Sequence, residues 1–189
     1  MKAKKTVYTT IKEEIDGELV DIRSFDLASL YATLRSLPLK GVDVVNFSFG
    51  TTGCPTLMQH DPVRKWLAEN SQTQFAVAAG NHGTTMPAWP ASFSSDVERL
   101  PGLDHVISVG ALDMSTYGTA TVSDFSATGP TVDVYAEGTG VRVQHPSGDV
   151  AAWSGTSFAA PLVAALLAMD VAMGDLKDDG WIEPNTEHL

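Results

Sequence analysis

Cysteine is nearly absent: Cys54 is the only one in 189 residues. A lone thiol makes neither an internal disulfide nor a zinc cluster, and it says little about redox compartment. Basic residues are scarce as well, 12 against 23 acidic, for a net charge of -11. Such a surface repels nucleic acid and anionic lipid, so neither nucleic acid nor membrane is expected as a partner. No apolar run reads as long enough to span a bilayer. The opening MKAKKTVYTTIKEE is basic but has no apolar core segment, so no signal peptide is read there and no compartment is assigned. Internal repeats and low-complexity linkers are also missing. What is present is a 43% hydrophobic fraction in a length that suits one domain with a real core.

The pattern along the chain alternates. Val7 to Ile11 reads as a strand and DGELVD as a turn between segments. Leu27, Leu30, Tyr31, Leu34 and Leu37 recur at three and four, which predicts a helix capped by Ser24 or Asp26 and stopped by Pro38. Val42 to Phe47 is short, branched and bounded by glycines, a buried strand. Asp61-Pro62 opens a second helix, with Val63, Trp66 and Leu67 on its inner face. FAVAAGN and HVISVGALD read as further buried strands. Near-continuous apolar strands alternating with helices predict an α/β fold with a parallel sheet flanked by helices. After Ala120 come short strands, ATVSDFS, TVDVYA, GVRVQ and DVAAW, with a hairpin turn at PSGD. A last helix follows within WSGTSFAAPLVAALLA.

Three places carry candidate chemistry. Ser157 lies where that last helix begins, beside N–H groups the helix leaves unsatisfied, a setting that suits a nucleophile generating an oxyanion. Gly155 lets the backbone turn sharply there. The plainer reading is that Ser154, Thr156 and Ser157 cap the helix. Asn81 follows a strand ending in Ala79-Gly80, and its amide is a candidate fixed donor; the plainer reading is a turn asparagine. Asn46-Phe47-Ser48-Phe49-Gly50 takes a core strand into a loop whose free edge suits pairing with an extended peptide; the plainer reading is an ordinary strand exit.

Taken in order, these motifs resemble the subtilisin-like serine proteases (subtilases, peptidase S8). GVDVVNFSFG resembles the strand lining the family's peptide cleft, and FAVAAGNHG the strand and loop bearing its oxyanion asparagine. HVISVGALD resembles the next core strand. VSDFSATGPTVDVYAEGTGV is similar to a later family run, with Glu137 where proline is usual. SGTSFAAPLVAALLA is similar to the nucleophile motif G-T-S-x-A-x-P. The resemblance covers roughly residues 25 to 170. It implies a subtilisin-like fold and serine endopeptidase activity on a polypeptide substrate. Ser157 would be the nucleophile, with Asn81 and the Ser157 N–H holding the oxyanion. Ser48, Phe49 and Gly50 would pair with substrate backbone, and Ala79 and Gly80 would wall the primary pocket. A serine esterase of the α/β-hydrolase type is excluded, because Ser157 does not sit in G-x-S-x-G.

A serine nucleophile needs a base, and the family's triad runs Asp, His, Ser along the chain. The family's Asp-x-Gly and His-Gly-Thr segments are absent upstream, and the first histidine is His60. His82-Gly83-Thr84 mimics the histidine motif but directly follows Asn81, so it is read as coincidence; His105 and His145 have no counterpart as the base. Asp21, Asp26 and Asp43 lie outside any aspartate motif. WIEPNTEHL resembles the start of the family's next helix. The expectation is therefore a partial catalytic domain over 1–174, incomplete at both ends, with an acidic segment at 175–189. The base would come from outside the chain, and a second chain or a homo-oligomer would complete the fold. The alternative is an inactive peptide- or protein-binding module. No cofactor is evident and no metal is assigned; the calcium-binding loop that the resemblance implies would fall in the part of the family domain not matched here.

Overall fold

The computed structural model describes residues 8–15, 18–25, 32–52, 62–94, 102–115 and 119–173, with 8–25 followed along the backbone. The acidic segment at 175–189, Cys54 and His60 lie outside the described residues. The chain divides into two compact units, Met1–Leu39 and Lys40–Leu189.

In the first unit, β1 (Tyr8–Ile15) pairs antiparallel with β2 (Glu18–Phe25), in a register that sets Ile15 opposite Glu18. The strand expected at 7–11 is therefore longer, and ELVD lies in β2 rather than in a turn. The sequence Asp16-Gly17 between the strands is the connection that tight hairpins favour. The charged residues of both segments had hidden that signal. Of the helix expected from Leu27, residues 32–35 are described as helical.

The second unit is built on one sheet. β3 (Val44–Phe47), β5 (Gln74–Ala78), β7 (Val106–Asp113) and β9 (Val134–Glu137) run parallel, with β5 between β3 and β7 and with β9 on β7. The short β8 (Thr121–Val122) adds antiparallel to β7. β4 (Thr51–Thr52) and β6 (Ala88–Trp89) form a small ladder beyond the end of β3. β10 (Val141–Gln144) and β11 (Val150–Trp153) make the expected hairpin around PSGD, closed by His145 N–H donating to the Asp149 carbonyl at 2.7 Å.

Both faces of the sheet are covered. Successive strand residues point to opposite faces. Ala76, Ala78, Ile107, Val109 and Ala111 on one face pack against Ala159, Ala160 and Leu167 of the long C-terminal helix, Thr156–Met173. Alanine at five of these positions lets helix and sheet approach closely. Phe75 and Val77 point the other way, and the ring of Phe75 meets Trp66 edge-on at 5.3 Å. Trp66 belongs to α1 (Pro62–Glu69), whose buried residues are Val63, Trp66 and Leu67, as its spacing predicts. The C-terminal helix is α2. It is long and apolar enough in composition to cross a membrane, which the reading of the sequence had not found. Its inner face belongs to the sheet core, whereas Leu162, Leu166, Met169 and Met173 on the outer face are 42%, 58%, 56% and 62% exposed.

Candidate active site

The carboxyl ends of β3 and β5 and the start of α2 converge on a cleft of about 410 Å³. Ligands of parallel α/β sheets collect at such ends. Ser48, Phe49, Gly50, Gly80, Asn81 and Ser157 all line it, so six of the seven residues singled out from the sequence come together. Ala79 does not. It is buried in the core, its N–H donating to the Val109 carbonyl at 2.9 Å, and Ala78 lines the cleft instead. Thr51, Thr52, His82, Ala88 and Thr156 complete the wall.

The start of α2 does not use its hydroxyls as caps. Ser154 Oγ accepts from the Gly140 N–H at 3.0 Å. Thr156 Oγ1 donates to Asn81 Oδ1 at 2.9 Å and accepts from the Gly80 N–H at 3.1 Å. Ser157 Oγ donates to the Ser48 carbonyl at 3.0 Å, while Ser48 Oγ donates to the Ser157 carbonyl at 2.9 Å. Each hydroxyl thus ties the helix start to a strand end.

Asn81 is oriented by chemistry. A backbone N–H only donates, and the Thr156 N–H meets Asn81 Oδ1 at 2.8 Å. The oxygen is held by two donors from Thr156, which turns the NH₂ of the amide toward the helix start. That nitrogen, Nδ2, would lie 3.2 Å from a Cβ placed on Gly155. Glycine there keeps the donor uncrowded. Thr156, which the sequence offers only as a cap, is the residue that orients Asn81.

The loop carrying Asn81 is braced by the VSDFSATG run. The Gly83 N–H donates to the Phe125 carbonyl at 2.8 Å, the Ala127 N–H to the Gly80 carbonyl at 2.9 Å and the Thr128 N–H to the Thr84 carbonyl at 3.1 Å. Gly83 has a φ of +61°, and a Cβ there would come within 2.6 Å of the Asp124 carbonyl oxygen. This bracing is why ATVSDFS, expected as a strand, contributes only Thr121–Val122 to the sheet. Its remaining polar groups serve the loop, with Ser126 Oγ accepting from the Ala111 N–H at 2.9 Å.

No histidine among the described residues bonds Ser157. His82 lines the cleft, but its Nε2 sits 2.6 Å from the Met86 carbonyl oxygen. His105 is buried with Nε2 at 3.0 Å from the Leu67 carbonyl oxygen. His145 Nδ1 pairs with Ser147 Oγ at 2.9 Å in the hairpin turn. No group of three or more potential metal ligands occurs among the described residues.

Residues 21–173 match the sequence profile of the subtilase family. Thermitase of Thermoactinomyces vulgaris is 30% identical over 135 residues, covering 71% of this chain and 42% of that protein. The intracellular serine protease of Paenibacillus polymyxa is 35% identical over 130 residues, 68% of this chain and 36% of that protein. Among solved structures, the prenylagaramide maturation protease PagA aligns with a TM-score of 0.58 at 26% identity, over 80% of this chain and 53% of that one. A cold adapted subtilisin-like serine proteinase shares the fold with a TM-score of 0.59 at 23% identity, over 79% of this chain and 50% of that one. The chain therefore spans about half the length of these solved structures and less than half of these two curated relatives. The motif order, the sheet covered on both faces and the extent of the profile agree, and the chain belongs to the subtilase (peptidase S8) family, the subtilisin-like serine proteases.

Proposed function

We propose that this chain is the nucleophile-bearing part of a serine endopeptidase, with its general base supplied by polypeptide outside the described residues. The observation that carries the reading is the Thr156–Asn81 bond pair, which leaves an amide donor beside the start of α2 where Ser157 stands. In the reaction the base takes the Ser157 hydroxyl proton as Oγ bonds to the scissile carbonyl carbon. The carbonyl oxygen becomes an oxyanion held by Asn81 Nδ2 and the Ser157 N–H. Collapse breaks the C–N bond, and the amine leaves with the proton returned by the base. Water then attacks the acyl-enzyme, activated by the same base. Ser48, Phe49 and Gly50 bind substrate backbone, because the chain continues there from β3, an edge strand of the sheet among the described residues. Gly80 and its neighbours form the wall for the side chain. The exposed apolar face of α2 supports a role for additional polypeptide, a second chain or another copy of this one.

The second reading is a module that binds peptides without cutting them. It is favoured by the resting bond of Ser157 Oγ to the Ser48 carbonyl, an arrangement without a base. Removal of the triad's other members leaves only the modest catalysis of oxyanion hole and binding.

Reaction with a fluorophosphonate of the purified chain, alone and with added polypeptide that supplies the base, beside Ser157→Ala and Asn81→Ala, separates the two. Labelling that disappears in Ser157→Ala and slows in Asn81→Ala is the expected result for the enzyme. The slowing should be on the order of 10²-fold or more, the loss known for removing one oxyanion donor in subtilisin itself. Peptide binding with no labelling, even with polypeptide supplying the base present, would select the binding module.

A further inference from the structure

Ser157 is the second residue of α2, and the residue four positions later is Pro161. In an α-helix the Ser157 carbonyl would accept the N–H of residue 161. Proline has no such group. An acceptor left open inside a packed helix costs stability unless another donor reaches it. The donor that reaches it is Ser48 Oγ, at 2.9 Å and from 109 positions away in sequence. The same serine accepts the Ser157 hydroxyl on its carbonyl at 3.0 Å. Asn46 lies on the other side of Ser48 Oγ, with its amide oxygen at 3.0 Å. The Ser48 hydroxyl has one proton. With that proton on the Ser157 carbonyl, an Asn46 amide turned to present its NH₂ donates to Ser48 Oγ and satisfies all three groups at once.

We propose that Ser48 is the positioning residue of Ser157. Its hydroxyl replaces the helix donor that Pro161 removes, and its carbonyl holds the Ser157 hydroxyl at rest. The functional meaning rests on Ser157 being the nucleophile; the hydrogen-bond substitution stands without it. The arrangement also couples binding to release. An extended peptide pairing along residues 48–50 needs the Ser48 carbonyl as an acceptor for its own N–H. A peptide N–H on that carbonyl shares its two lone pairs with Ser157 Oγ, which weakens the hold on the hydroxyl and lets it turn toward a base when substrate is in place. The hydroxyl bond to the Ser157 carbonyl is untouched by this exchange, so the start of α2 stays anchored.

The test is a double-substitution cycle read by urea midpoints on the native chain, Ser48→Ala, Pro161→Ala and the pair. In Pro161→Ala the helix regains a donor for the Ser157 carbonyl. Ser48→Ala is expected to lower the midpoint clearly in the native background and by less than half as much with Pro161→Ala. Ser48→Thr, which keeps the hydroxyl, restores most of the midpoint. Equal losses in the two backgrounds overturn the proposal, as does failure of Ser48→Thr to restore. If Ser48→Ala does not fold, folding regained in the pair supports the proposal and folding not regained overturns it. Fluorophosphonate labelling of the same proteins adds a readout at the serine itself. Ser48→Ala is expected to slow labelling by roughly tenfold or more through misplacement of Oγ, with recovery in Ser48→Thr. Labelling absent even when polypeptide supplying the base is added would count against Ser157 as an active nucleophile, while the midpoints would still decide the role of Ser48.

Discussion

Thr156→Val isolates the brace that orients Asn81. Valine matches threonine in shape, so no cavity opens, and the change removes hydrogen bonding alone. Thr156 is 1% exposed, donates to Asn81 Oδ1 at 2.9 Å and accepts from the Gly80 N–H at 3.1 Å. Two bonds at about 0.5–1.5 kcal/mol each, with the Gly80 N–H left unpartnered, give a loss of about 2–3 kcal/mol. For a chain of this length the midpoint of thermal unfolding should fall by roughly 4–12 °C. Near-ultraviolet circular dichroism during heating measures it. Thr156→Ser keeps the hydroxyl and should lose about 1 kcal/mol for its missing methyl. Asn81 Oδ1 retains the Thr156 N–H at 2.8 Å, so the valine variant should lose more in stability than in orientation of the amide. A loss below about 0.5 kcal/mol, with the serine variant no better than the valine, would refute the argument that Thr156 is held for its hydroxyl.

Three further outcomes are expected. Gly83→Ala forces a side chain into a left-handed conformation 2.6 Å from a carbonyl oxygen of the bracing loop; urea denaturation should show a loss of about 1–3 kcal/mol or more, and a neutral variant would contradict the close approach. Burial raises the Tyr135 hydroxyl above its ordinary value of 10.0. The fold therefore retains that proton more tightly, so the contribution is intact below about pH 10 and is lost as pH rises beyond it. The urea midpoint of the native chain should fall relative to that of Tyr135→Phe above that pH, and a flat difference would exclude the effect. Leu166, 58% exposed at the centre of the outer face of α2, should mediate association; sedimentation should show species above monomer mass that Leu166→Glu returns to monomer, and a native chain that stays monomeric would count against a homo-oligomer.

The parts legible in the sequence are those whose signal is local. β5 and β7 are covered on both faces, so they read as uninterrupted apolar runs, and α1 announces itself by Asp61-Pro62 and an apolar face at three and four. Ser157, Asn81 and the 48–50 segment each read alone as a cap, a turn or a strand exit, and only the order of the motifs, as a family resemblance, singled them out; the structure brings them to one cleft. Other features depend on which residues meet across long separations. Thr156 meets Asn81 from 75 positions away and Ser48 meets Ser157 from 109, and no spacing rule within either segment encodes those contacts. The exchange of Ala79 for Ala78 shows where a further step of reasoning was available. Strand residues alternate between faces, and Ala76 and Ala78 share the face that meets α2, the helix carrying Ser157. Asn46 shares that face too, since it pairs with Ala76 in register. A cleft served by a nucleophile on α2 must be lined from the same face, so the pleat points to Ala78, one residue before the position the motif suggested. Motif likeness locates a segment, whereas the parity of the strand decides which of its side chains a substrate can touch.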